Sequence, residues 1–176
     1  MLKVKDGQVE QLGLLFERYK KILFGFFYNM NKDRDLSEDL VQNVFERILK
    51  YRKGFKGEGE FKVWMFHIAR NVNIDAFRKQ GRLPGEDLQN WDEKLGDDGA
   101  NHEQQMAHSE EMKILEMAMA RLDREKREVI VLSKIDGMKY KHIGDLMRCT
   151  EGAVKVKVFR AMQALKKEYL RIQAAV

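Results

Sequence analysis

The chain has 176 residues, of which 44% are hydrophobic and 35% charged, with one Pro and one Cys. The lone Cys149 excludes a disulfide-stapled secreted scaffold, and no stretch approaches the roughly 20 apolar residues of a membrane span, so no membrane insertion is expected. Net charge is +5 with a pI near 9.2, a modest basic bias compatible with a polyanionic partner.

Met1 to Asp6 has no apolar run behind its charges, so no signal peptide is expected and the expected location is a reducing cytoplasm. Residues 1–80 carry 16 basic and 11 acidic side chains, net +5; residues 81–109 carry 2 and 7, net −5; residues 110–176 carry 15 and 10, net +5. Two basic blocks thus flank an acidic connector. Helix formers dominate and breakers are rare, which predicts an all-α fold: two small helical domains, 1–80 and 110–176, joined by an acidic linker, 81–109.

In the first block, a helix is predicted from about Gln8 to Met30, where Leu12, Leu15, Phe16, Tyr19, Ile22, Leu23, Phe26 and Phe27 recur at three- and four-residue spacing. A second is predicted from Ser37 to Lys53, with Ser37 as N-cap, Asp39 near the positive end of the dipole, and Gly54 as the stop. A third runs from Glu60 to Gln80, with Phe61, Trp64, Met65, Ile68, Val72 and Ala76 inward. Between Gly81 and Ser109 the periodicity lapses. Pro84 and several glycines read as a linker, with one short helix possible around Leu88, Trp91 and Leu95.

Four further helices are predicted: Glu110–Leu122, Arg124–Ile135, Lys139–Met147 and Glu151 to about Ile172. The last two are joined by Arg148-Cys149-Thr150, with Thr150 a natural N-cap. This is the layout of a helix-turn-helix. Projected at about 100° per residue, the last helix turns Val154, Val158, Met162, Leu165 and Tyr169 to one side. Gly152, Val156, Phe159, Arg160 and Gln163 turn to the other, with Lys155 and Lys157 flanking. Cations, an amide and apolar carbon are what a major-groove reader needs, and Gly152 lets a phosphate approach the helix start. On the pattern alone, a solvated bundle helix competes closely with DNA binding.

No catalysis is expected. His67, His102, His108 and His142 form no metal-binding spacing with one another or with Cys149, and no phosphate-binding glycine loop follows a strand. No metal or other cofactor is expected. A stand-alone helix-turn-helix regulator would use the C-terminal block but leave the first 80 residues without a task.

Gly137-Met138-Lys139-Tyr140-Lys141-His142-Ile143-Gly144 followed by Glu151-Gly152-Ala153-Val154-Lys155 resembles the promoter-reading C-terminal domain of extracytoplasmic-function sigma factors, small members of the sigma-70 family. Leu122 to Ile130 fits the preceding helix. Independently, Asp39-Leu40-Val41-Gln42-Asn43-Val44-Phe45 resembles that family's polymerase-binding helix. Phe55 to Phe61, Trp64 to Asn71, Asp75 and Arg78-Lys79 resemble its −10 reader.

The resemblance implies a bacterial transcription initiation factor that binds core RNA polymerase, through its β′ clamp helices and β flap, and promoter DNA. It also implies an anti-sigma factor as partner. Asp39, Gln42, Asn43 and Glu46 would dock on polymerase. Phe55, Lys56, His67, Arg70, Asn71, Arg78 and Lys79 would hold −10 DNA, with Asn71 and Phe55 on the bases. Glu151, Gly152, Lys155, Val156, Lys157, Phe159 and Arg160 would bind the −35 element. The linker would thread the polymerase interior.

Some positions depart from the family pattern. Arg148 stands where a turn glycine is usual, Val156 where a small polar residue is common, Asn43 where an acid is common, and Asp123 where Pro is frequent. The short helix usual before the first long one is expected to be missing or vestigial.

Overall fold

The computed structural model describes residues 1–79 and 102–175, with side chains from 110 onward in the second stretch. The short helix expected around Leu88 and most of the connector lie outside these residues. Every regular element among the described residues is helical, as composition predicts.

A four-residue helix, α1 (Leu2–Lys5), opens the chain. Of the two expectations for this helix, missing or vestigial, the second describes it: the turn is short but anchored, because Val4 is wholly buried. A 3-10 turn at Val9–Gln11 leads into α2 (Leu12–Asn31). That helix ends where Lys32 adopts a left-handed conformation (φ 55°) and returns its N–H to the Tyr28 carbonyl at 2.8 Å.

Helix α3 spans Arg34–Lys50. Its N-cap is Asp33, not Ser37: the Asp33 carboxylate accepts from the Leu36 N–H at 2.9 Å. Ser37 is buried inside the first turn, its hydroxyl donating back to the Asp33 carbonyl. Asp outcompetes Ser here because it sits immediately before the first helical turn and brings a full negative charge to the dipole. A 3-10 turn, Arg52–Gly54, precedes α4 (Phe61–Lys79).

Helices α2, α3 and α4 form the N-terminal bundle, built around Phe26, Phe27, Val44, Ile48, Met65 and Phe66. Rings meet edge to face, with Phe26 and Phe66 centroids 5.4 Å apart and Phe16 and Phe45 at 5.0 Å, geometries that add to simple burial. A buried amide pair closes one end: Asn31 Nδ2 donates to Asn73 Oδ1 at 3.0 Å.

The C-terminal half begins with α5 (His102–Ala120), which starts within the stretch expected as linker. Helix α6 (Arg124–Ile130) follows, capped by Asp123, whose carboxylate accepts from the Lys126 N–H at 2.9 Å. This substitute for Pro works as expected. Val131–Ile135 then widens into a π-helical turn that stops the helix expected to run unbroken to Ile135. Helices α7 (Tyr140–Met147) and α8 (Glu151–Gln173) complete the half.

Along α8 the buried residues are Val154, Val158, Ala161, Leu165 and Ile172. Ala161 replaces Met162 in the expected stripe. Spacings of four and three keep a straight 3.6-residue helix in phase with the core, and Met162, one residue further round, faces solvent.

Candidate nucleic-acid interface

The helix-turn-helix is set by local chemistry. Thr150 caps α8, its hydroxyl accepting from the Ala153 N–H at 3.2 Å. Arg148 holds the left-handed geometry (φ 55°, ψ 46°) that glycine takes at least cost, so the turn forms despite the missing glycine. The tight crossing falls instead on Gly144: a Cβ there would lie 2.6 Å from the Cys149 carbonyl oxygen. The glycine that the turn requires is therefore the one inside α7.

Of the residues expected to read the −35 element, Glu151, Gly152, Lys155, Val156, Phe159 and Arg160 are all exposed on one side of α8. Phe159 is 65% exposed and Val156 48%, large apolar surfaces for a free helix. Two cations there are partly neutralised within the chain. Lys155 sits 3.6 Å from Glu151, and Lys157, half-buried, pairs with Glu125 of α6.

On α3, Asp39, Gln42 and Glu46 are exposed at three- and four-residue spacing and so share one face, with Asn43 half-buried beside them. One turn on from Asn43, at the edge of this face, Arg47 lies 2.9 Å from Asp75 of α4.

The residues expected at −10 divide. Lys56, His67, Asn71, Arg78 and Lys79 are exposed, and Arg70 is half-buried. Phe55 is 6% exposed and packs edge to face on Trp64, centroids 5.3 Å apart. The expectation that it contacts bases is therefore corrected: in this structure Phe55 is part of the core. Trp64, expected inward, is half-buried under that ring.

A feature that local pattern did not reveal lies between the halves. Arg70 Nε donates to Glu128 Oε1 of α6 at 2.8 Å. Lys32 reaches Glu116 of α5 at 3.1 Å, and Lys62 donates to the Asp136 carbonyl at 3.0 Å. The Arg124 guanidinium lies 4.5 Å over the Phe77 ring. Buried Arg127 donates to the Met119, Ala120 and Leu122 carbonyls of its own half and to the Met30 carbonyl at the end of α2.

These surroundings shift titrations. Burial pushes the His67 imidazole below its usual range, Asp145 opposing and Arg70 and Arg148 reinforcing. Burial pushes the Asp136 carboxyl up to about 7 against the pull of Lys62. Its Oδ2 finds no hydrogen-bond partner among the described residues. Among those residues, no group of His, Cys, Asp or Glu could hold a metal ion, and no helix is long and apolar enough to cross a membrane.

Comparison with known proteins decides what the two surfaces belong to. Residues 15–83 match the sigma-70 region 2 family and residues 112–165 the sigma-70 region 4 family. The extracytoplasmic-function RNA polymerase sigma factor SigX of Bacillus subtilis is 30% identical over 161 residues, covering 90% of this chain and 83% of SigX. The chain belongs to the extracytoplasmic-function sigma factors.

SigM of the same organism is 31% identical over 158 residues, covering 89% of this chain and 94% of SigM. The sigma-E factor of Haemophilus influenzae is 28% identical, covering 93% and 90% respectively. The fold also matches solved structures. CnrH, in complex with the cytosolic domain of CnrY, superposes with a TM-score of 0.71 at 21% identity, covering 94% of this chain and 92% of that one. RpoE of Bartonella quintana, in complex with the anti-sigma factor NepR, gives 0.69 at 23%, covering 89% and 94%. This sigma factor therefore serves promoter-directed transcription initiation by RNA polymerase, and its family is regulatory rather than catalytic.

Proposed function

We propose that the work of this sigma factor is divided between residues 1–80 and 110–176, with 81–109 as the connector. In this reading Asp39, Gln42, Asn43 and Glu46 of α3 dock on the β′ clamp helices. The α4 face with His67, Arg70, Asn71, Arg78 and Lys79, joined by Lys56, holds the opened −10 DNA. Helix α8 reads the −35 major groove through Glu151, Gly152, Lys155, Val156, Lys157, Phe159 and Arg160, while its domain meets the β flap. The protein works in the cytoplasm.

The observation that carries this reading is the pairing of two exposed faces on separate helices. The acid-and-amide face of α3 suits a protein partner, and the mixed cationic and apolar face of α8 suits a base-pair edge and its methyl groups. RpoE is described with the anti-sigma factor NepR bound and CnrH with the cytosolic domain of CnrY, which favours an anti-sigma partner for this chain too. Tethering both DNA contacts on polymerase raises the effective concentration of the second, with avidity gains on the order of 10²–10⁴.

Capture of core RNA polymerase by the purified chain tests the α3 assignment. Stoichiometric capture is expected, falling by about tenfold or more when Asp39 and Gln42 are both changed to Ala. Equal capture by that variant would remove α3 from the docking surface.

A further inference from the structure

Among the described residues, two rings of Phe, Tyr or Trp are exposed: Phe159 on α8 and Tyr51, 52% exposed, at the end of α3. Phe159 lies on the face already read as a base contact. Tyr51 has no such task, and Phe55, four residues on, is packed in the core.

The Tyr51 ring stands in a run of cations. Residues 47–57 hold Arg47, Lys50, Arg52, Lys53 and Lys56 and no acidic side chain. Lys50, Lys53 and Lys56 are exposed. The acids and amide at Asp39, Gln42 and Glu46 thus give way to positive charge at the end of α3. Lys50 Nζ lies 5.5 Å from the Tyr51 ring centroid, and Tyr51 pairs with no other ring among the described residues. The backbone beneath the ring is fixed. The Tyr51 N–H donates to the Arg47 carbonyl at 2.8 Å, the Tyr51 carbonyl accepts from the Gly54 N–H at 2.9 Å, and the Arg52 guanidinium donates to the Leu49 carbonyl at 2.7 Å. Arg47, one turn earlier on the same side of the helix, lies 2.9 Å from Asp75 of α4, and the next turn of α4 carries Arg78 and Lys79.

We propose that Tyr51 is a stacking platform for an unpaired base of opened promoter DNA, with Lys50, Lys53 and Lys56 holding the phosphates beside it. The inference rests on the reading of Lys56 and the α4 face as the −10 surface, and it supplies the open ring that this surface lacks once Phe55 is assigned to the core.

A base that leaves the duplex loses its stacking neighbours, and an exposed ring restores one of them. Every base has a π face, so a platform of this kind favours the opened state and tolerates many sequences. One face of the ring meets Lys50, and the other is left for a base. A run of cations without an acid suits a polyanion better than it suits a second protein. The short turn that fixes the backbone lowers the ordering cost of capture.

The test uses holoenzyme assembled from core RNA polymerase and the full chain. Its DNA is a promoter that the wild-type holoenzyme selects from fragmented genomic DNA, with the −10 region pre-opened by mismatches. 2-Aminopurine replaces single bases of that region in turn, in either strand, and its quenching reports stacking. The wild-type holoenzyme is expected to quench one position well beyond its neighbours. Tyr51→Ala is expected to relieve that quenching and weaken binding of the pre-opened promoter about tenfold, with capture of core polymerase unchanged. Tyr51→Phe is expected to keep the quenching. Tyr51→Leu, which keeps apolar area without a π face, is expected to lose it. Lys53→Ala is expected to weaken binding and leave the quenched position where it is.

Quenching that persists at every position in Tyr51→Ala overturns the proposal. If Asn71→Ala still weakens binding of the pre-opened promoter in that case, the −10 reading survives. If Asn71→Ala changes nothing, that reading falls and the platform falls with it. A loss of core polymerase capture in Tyr51→Ala would make the ring a protein contact and overturns the proposal as well.

Discussion

The N-terminal bundle is held by rings, and the C-terminal half by aliphatic side chains and helix ends. Around Phe26, Phe66, Phe55, Phe61 and Trp64, aromatic centroids lie 5.3–6.0 Å apart. All the ring pairs among the described residues lie in this half. Its long α2 has no side-chain cap at its start. The C-terminal core is Val129, Ile130, Leu132, Ile143, Val154 and Leu165; the short α6 and the long α8 begin on the Asp123 and Thr150 caps, and the short α7 between them turns through Gly144 and Arg148. Large rings bury much area per residue and tolerate plain helix ends. Short helices carrying small side chains depend on backbone geometry. The first half should therefore be sensitive to lost volume and the second to altered turns.

Phe66→Ala tests the first of these hardest. Its ring is 1% exposed and meets Phe26 edge to face, so truncation is expected to cost about 3–5 kcal/mol in urea unfolding. A loss below about 1 kcal/mol would mean that the bundle refills the space. Gly144→Ala is the matching probe of the second half. Its methyl would meet the Cys149 carbonyl at 2.6 Å, and a cost near the upper end of about 1–3 kcal/mol is expected, together with weakened binding of duplex DNA by α8.

A smaller effect sharpens the comparison at the seam. The Asp136 carboxyl, raised to about 7, keeps its proton in the folded chain at pH values where the unfolded chain has released it. The folded state then binds more protons, so this residue's contribution to stability declines as pH rises from about 4 to about 7 and levels off above. With partial exposure discounted, the span is on the order of 2 kcal/mol. Asp136→Asn should remove that slope in denaturation measured across the window, and an unchanged slope would place its origin elsewhere. The smallest effect runs the other way. Arg148→Gly should stabilise the chain by about 1 kcal/mol, because the native φ of 55° is one that glycine adopts without strain.

Features governed by near neighbours along the chain are legible in the sequence. The apolar stripes place α2, α4 and α8, and Thr150 and Asp123 serve as the caps their chemistry suggests. Sequence and structure part where two local signals compete or where partners lie far along the chain. The cap of α3 falls on Asp33 and not on the expected Ser37, which packing buries inside the first turn. Phe55 lies between glycines and lysines in an exposed-looking loop, yet Trp64 and Phe61 draw it inward. The Arg70–Glu128 pair joins residues 58 apart in sequence. Helical periodicity carries no signal at that range.

Arg127 bears on how the end of α5 is held. Its guanidinium closes that end through the Met119, Ala120 and Leu122 carbonyls, and it touches the other half through the Met30 carbonyl. The cation thus sits at the negative pole of α5, satisfying carbonyls that a helix end leaves without partners. The last turn of α5 should therefore fray little, and its amide protons should exchange slowly.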